Sequence, residues 1–176
     1  MTTLLAFSGS LRRGSFNTRL VNALPPLAPE GVTIVAFDVA DLPLYNQDLD
    51  GETVPDVVAA LRAAVAEADG IIIASPEYNH SYSAVTKNLV DWASRPFMKG
   101  AIIGKRSMVI AAGPGPSGGA HCLAALADLL GLLGGTVVAK VGVAAVHEKL
   151  AAEGDFVIDE GLAGELRAAL AAFGHE

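Results

Sequence analysis

Ser8-Gly9-Ser10-Leu11-Arg12-Arg13-Gly14-Ser15-Phe16-Asn17 is the stretch whose reading decides the fold. An apolar run, Leu4-Leu5-Ala6-Phe7, precedes it, and a helical pattern follows with Leu20, Val21, Leu24 and Leu27 on one face. Strand, polar loop and helix together make an anion site. Backbone N–H groups at a helix start have no partner one turn back, and the aligned peptide dipoles favour negative charge there. The loop adds the hydroxyls of Ser8, Ser10 and Ser15, two guanidinium groups and one amide. Arg12 is placed to grip a phosphate through two parallel hydrogen bonds. Gly9 and Gly14 let the backbone turn close to a ligand, and Asn17 is the expected N-cap. The Gly-Lys-Ser/Thr ending of a triphosphate-hydrolysing loop is missing, so a phosphate monoester that stays bound fits better. An ordinary connecting loop before a capped helix remains the alternative.

Outward from this loop, short apolar runs alternate with longer helical ones. Strands are expected over 3–7, 33–37, 70–74, 107–112 and 136–143, and helices over 17–24, 55–67, 84–94, 120–133 and 160–173. Residues 70–74 are apolar without alternation, as in a strand covered on both faces. Five strands alternating with five helices predict an α/β fold with a parallel sheet and helices on both faces. No linker or repeat divides the chain, so residues 1–176 are expected to form a single domain. In the strand order 2-1-3-4-5, the three loops richest in Gly, Ser, Pro and Asn converge at one carboxyl edge. They follow the first, third and fourth strands, and a ligand is expected at the switch point between strands one and three.

Composition excludes several classes. Among 176 residues, 52% are hydrophobic and 18% charged, which suits a globular protein. The net charge of −7, from 12 basic and 19 acidic residues, argues against nucleic-acid and anionic-membrane partners. A lone cysteine, Cys122, excludes an internal disulfide and is expected to be a buried, inert thiol. No signal-peptide pattern opens the chain, and the most apolar stretch, 122–133, is too short for a bilayer and holds Asp128, so a cytoplasmic location is expected.

The second loop, Pro76-Glu77-Tyr78-Asn79, offers backbone groups for the edge of a flat heterocycle and a ring face from Tyr78. Glu77 reads either as a general acid or base or as a solvated carboxylate, and His80 either as a donor or as an exposed loop residue. His121, His147 and His175 show no metal-ligand spacing with one another or with carboxylates, so no metal site is expected. Residues 113–118 formally match G-x-G-x-x-G. The dinucleotide reading fails, because two prolines interrupt the loop, it follows the fourth strand, and no acidic residue ends the next strand. A loop that passes close to a ligand ring with Ser117 as donor is weighed against a plain helix-start turn. On the third helix, Lys87 and Asn88 read as a solvated face or as groups that orient a neighbouring loop or subunit. Trp92 reads as core.

At these residues the chain resembles the NADPH-dependent FMN reductase family of flavodoxin-like proteins, which includes quinone, chromate and azo-dye reductases. The resemblance rests on Gly9-Ser10-Leu11-Arg12-x-x-Ser15-x-Asn17, on Pro76-Glu77-Tyr78-Asn79-His80-Ser81 and on Lys87-Asn88-x-x-Asp91-Trp92, with weaker matches at 42–48 and Gly118-Gly119-Ala120. It implies a flavodoxin-like three-layer sandwich. It also implies that Ser10, Arg12, Ser15 and Asn17 hold the phosphate of FMN, with Phe16 counted among the cofactor-binding residues. Pro76, Glu77, Tyr78 and Asn79 would line the isoalloxazine and ribityl chain, with Ser117 and Gly118 near the ring. NADPH or NADH would be the reductant, and a quinone, chromate, azo compound or flavin the small-molecule acceptor. No side chain would be a covalent catalyst, and a homodimer or homotetramer is implied. The family pattern has proline where Ser83 stands and leucine where Thr86 stands. Ser83 is therefore expected to loosen the loop before the third helix, and both changes to alter the substrate pocket. Two rival readings remain: a flavodoxin-like electron carrier that does not oxidise NAD(P)H, and a binding protein for another nucleotide.

Overall fold

The computed structural model describes residues 1–150 and 158–174, which leaves His175 outside the described residues. The chain runs β1 (Thr2–Ser8), α1 (Phe16–Ala23), β2 (Val32–Phe37), α2 (Asp56–Glu67), β3 (Gly70–Ser75), β4 (Glu77–Tyr78), β5 (Ser81–Tyr82), α3 (Ala84–Ala93), β6 (Arg106–Ala112), α4 (Ala120–Leu132), β7 (Thr136–Val143), α5 (Val146–Lys149) and α6 (Glu160–Ala171). The main sheet is wholly parallel in the order β2-β1-β3-β6-β7, which is the expected 2-1-3-4-5 arrangement.

Alternation along the strands builds a core on each face of the sheet. Leu4, Ala6, Ile72 and Ala74 face one way and pack with Leu20 of α1, Leu24 at its C-cap, and Leu166 and Leu170 of α6. Leu5, Phe7, Ile71 and Ile73 face the other way, against Val58 and Leu61 of α2, Leu89 and Trp92 of α3 and Leu126 of α4. Every residue of β3 is buried, as a central strand covered on both faces requires. Helix, sheet and helix thus give three layers. Between α2 and α3, Trp92 donates its indole N–H to the Pro43 carbonyl at 2.7 Å and meets the Tyr45 ring edge-on at 4.9 Å. Asn88 takes the Tyr45 N–H at 2.7 Å and donates to Pro43 at 2.9 Å, so it orients the 42–45 loop.

Three local expectations change. Ser15, not Asn17, caps α1: its hydroxyl accepts the Thr18 N–H at 3.4 Å, while the Asn17 side chain turns inward. Residues 77–82 form a hairpin in which Asn79 and His80 make the two-residue turn, both at positive φ (51° and 60°). A short helix, α5, follows β7.

The start of α3 bears on Ser83 and Thr86. Ser83 caps α3 by accepting the Thr86 N–H at 3.1 Å, and its hydroxyl donates to the Gly9 carbonyl at 2.6 Å. Thr86 donates to the Ser75 hydroxyl at 2.9 Å. Both residues are buried and fasten β3, α3 and the first loop together. Ser83 therefore tightens the chain where loosening was expected, because a capping hydroxyl satisfies both the helix start and a neighbouring carbonyl.

Candidate functional site

β1, β3 and β6 all end at one edge of the sheet. Their loops enclose a cavity of about 420 Å³, within the range of small-molecule and cofactor sites. The chain crosses from β1 to β2 on one side and later returns to β3 on the other, so the cavity lies where the winding reverses.

The first loop contributes Ser10, Arg12, Ser15, Phe16 and Asn17. Ser15 uses a lone pair to cap α1 and keeps its O–H as a donor. The Arg12 guanidinium lies over the Phe16 ring at 5.7 Å and donates to the carbonyls of Arg13 and Gly14, both at 3.2 Å. Ser8 does not join the lining. Its hydroxyl is 2.7 Å from that of Thr18 and accepts the Ser10 N–H at 3.3 Å, so it shapes the loop from behind. Gly9 has a packing reason as well: a Cβ there would fall 2.0 Å from Thr86 Oγ1 and 3.1 Å from Ser83 Oγ.

Asn17 is nearly fully buried. Its Nδ2 donates to the Ala112 carbonyl at 3.3 Å, which ties the first loop to the end of β6. Among the described residues, its Oδ1 is the buried side-chain polar atom without a hydrogen-bond partner. An orphaned acceptor of this kind, in a cavity beside a helix N-terminus, fits a ligand that carries a hydroxyl next to an anionic group.

The second wall is Pro76, Glu77 and Tyr78, with Tyr78 half exposed at the mouth. Glu77 accepts the Cys122 N–H at 3.0 Å through Oε2 and lies 3.4 Å from His121 Nδ1 through Oε1. The Cys122 N–H bond chiefly lowers its pKa, against desolvation, with His121 adding to the lowering. An ionised carboxylate is an acceptor, which disfavours Glu77 as a general acid. Asn79 lies on the hairpin turn, outside the lining.

The third wall runs from Ala112 to Gly115, with Ser117 and Gly119. Ser117 accepts the Gly119 N–H at 3.4 Å. Gly118 sits behind the wall: a Cβ there would meet the Gly142 backbone at 3.1 Å, and its φ is +57°. Gly119, at φ +74°, stands against Ala111 and is the glycine of this pair that reaches the cavity. Cys122 is buried below, and desolvation raises its pKa, as expected of an inert thiol.

Two histidines were missed as partners of Glu77. His80 and His121 approach with ring centroids 4.5 Å apart, and their Nδ1 atoms are 3.2 Å apart. Glu77 and His80 are three residues apart, but separations of 41 and 44 residues hide His121 from any spacing rule.

Comparison with known proteins places these features in a family. Residues 2–149 match the family model described as NADPH-dependent FMN reductase. The quinone reductase of Escherichia coli (strain K12) is 37% identical over 172 residues, which is 94% of this chain and 90% of that protein. A 2-hydroxy-1,4-benzoquinone reductase from a Burkholderia species is 44% identical over 110 residues, or 62% of this chain and 60% of the relative. The solved structure of the flavoenzyme NAD(P)H:(acceptor) oxidoreductase FerB from Paracoccus denitrificans superposes with a TM-score of 0.82 at 33% identity, covering 98% of this chain and 95% of that one.

Proposed function

This chain belongs to the NADPH-dependent FMN reductase family, oxidoreductases that use FMN and a reduced nicotinamide, and we propose that it passes reducing equivalents from NADPH or NADH to a quinone at the cavity described above. The observation that carries the reading is the orphaned Asn17 oxygen, buried beside the start of α1 in a cavity of cofactor size.

The phosphate of FMN would be held at the start of α1. The hydroxyls of Ser10 and Ser15 and the N–H groups of Phe16 and Asn17 would donate to it. Arg12 would exchange two neutral carbonyl acceptors for charged phosphate oxygens, and hydrogen bonds between charged groups are the stronger ones. The Asn17 side chain already gives its N–H₂ group to Ala112, so its oxygen would take a ribityl hydroxyl while its backbone N–H would serve the phosphate. Pro76, Glu77 and Tyr78, with Asn79 at the turn behind them, flank the ribityl chain and ring from one side. Ser117 and Gly118 belong to the loop on the other.

When bound, FMN supplies the hydride acceptance and the two-electron transfer to the acceptor. The protein's share is position and exclusion of water. Tyr78, half exposed at the mouth, would offer its ring to an incoming flat molecule. The quinone assignment follows the names of the Escherichia coli and Burkholderia relatives, and chromate, azo compounds and free flavin are the competing acceptors. A homodimer or homotetramer is part of the same reading. Leu44, Phe97 and Met98 are 79%, 76% and 73% exposed, and an oligomer interface would cover them.

The test is turnover. FMN-loaded protein should oxidise NADPH at a rate that depends on added 1,4-benzoquinone, and protein stripped of FMN should not. NADPH and NADH both left untouched by the FMN-loaded protein in the presence of the quinone would contradict the proposal.

A further inference from the structure

We infer that Glu77, His80 and His121 form a site for a borderline divalent transition-metal ion such as Zn²⁺, at the edge of the flavin cavity. One ligand atom from each lies within 4.8 Å of the others. The separations are 3.2 Å between the two Nδ1 atoms, 3.4 Å from Glu77 Oε1 to His121 Nδ1, and 3.8 Å from Glu77 Oε1 to His80 Nδ1. Zinc binds imidazole nitrogen and carboxylate oxygen at 2.0–2.1 Å, and the edge of such a tetrahedron is about 3.3 Å. The three atoms thus already stand close to three corners of a zinc tetrahedron. Two imidazoles and one carboxylate make a borderline donor set, suited to zinc, nickel or copper and not to magnesium or calcium.

The supporting contacts are also present. Glu77 Oε2 is held by the Cys122 N–H at 3.0 Å, which turns Oε1 toward the histidines. The three ligands come from three elements: Glu77 from β4, His80 from the hairpin turn and His121 from the first turn of α4. His80 and His121 are exposed, so an ion can enter and a water can fill the fourth position. An occupied site ties the hairpin that carries Tyr78 to α4, joining two walls of the cavity. The inference requires neither FMN nor any acceptor, so its failure and that of the redox reading are separate.

The test is calorimetric titration of FMN-loaded protein with ZnCl₂. One ion per chain should bind in the micromolar range, and His80→Ala and His121→Ala should each weaken binding by about tenfold or more. His147→Ala should bind like the parent, because among the described residues His147 pairs with the exposed Glu148 and does not join the Glu77–His80–His121 group. In NMR spectra, zinc should shift the ring signals of His80 and His121 and leave that of His147 in place. No binding at millimolar zinc, or unchanged affinity in the His80 and His121 variants, would overturn the inference. An unaltered visible spectrum and circular dichroism spectrum in each variant would show that its fold is kept.

Discussion

At the scale of single residues, the account depends on which polar atoms already have partners. Among the described residues, Arg12 donates to two neutral carbonyls and lies over the Phe16 ring, with no carboxylate partner, so its replacement should cost the cofactor and not the fold. Arg12→Ala should weaken FMN binding by about 1.5–3 kcal/mol, the value of a hydrogen bond to a charged group. Fluorescence titration of FMN measures this, and unchanged affinity would remove Arg12 from the phosphate site. Cys122 gives a pH prediction. Burial raises its thiol pKa above that of the unfolded chain. Its stabilising contribution is therefore intact below the ordinary thiol pKa, and it declines as pH rises toward the raised value. Between neutral pH and pH about 10, the parent protein should lose more thermal stability than Cys122→Ala. Equal losses in thermal melts of the two would show that the thiol is not desolvated in the folded state. The choice of N-cap was hard to read at this scale, because Ser15 and Asn17 are both good capping residues. The decision comes from Ala112, distant in sequence, whose carbonyl draws the Asn17 amide inward.

Elements hold these residues in place through close contacts that sequence shows only in part. Gly9 looked like a concession to a ligand, and its strictest constraint is the start of α3. Gly9→Ala should destabilise the fold by about 1–3 kcal/mol, as overpacking does. Because the new methyl group would strike Thr86 Oγ1 first, Gly9→Ala with Thr86→Ala should lose less than the sum of the two single changes in denaturant unfolding. Strict additivity would mean that the loop moves away from α3 without strain. The five long strands were legible because apolar runs ended at Gly, Ser and Pro clusters. The hairpin at 77–82 was not, since two-residue strands carry no periodicity and its left-handed turn is Asn79-His80 in place of an Asn-Gly pair.

For the whole molecule, the order of strands decides where the chemistry lies. Sequence order alone brought three unusual loops to one edge, and the structure brings Ser10, Asn17, Glu77 and Ser117 around one cavity there. The joining of His121 to Glu77 and His80 could not be read in advance, because tertiary packing alone creates it. Surface composition bears on assembly. Leu44, Phe97 and Met98 should be covered in an oligomer, so light scattering should give a mass above that of one 18.0 kDa chain. Phe97→Asp should move that mass toward the monomer, and a monomeric parent protein would refute the assembly. The central claim is that the cavity between β1 and β3 holds FMN that a reduced nicotinamide can reach. Its most direct test is the visible spectrum of the purified protein, recorded without oxygen before and after addition of NADPH. The account predicts a flavin spectrum that bleaches fully and rapidly. A colourless protein that takes up no added FMN, or a flavin spectrum unmoved by NADPH or NADH, would contradict it.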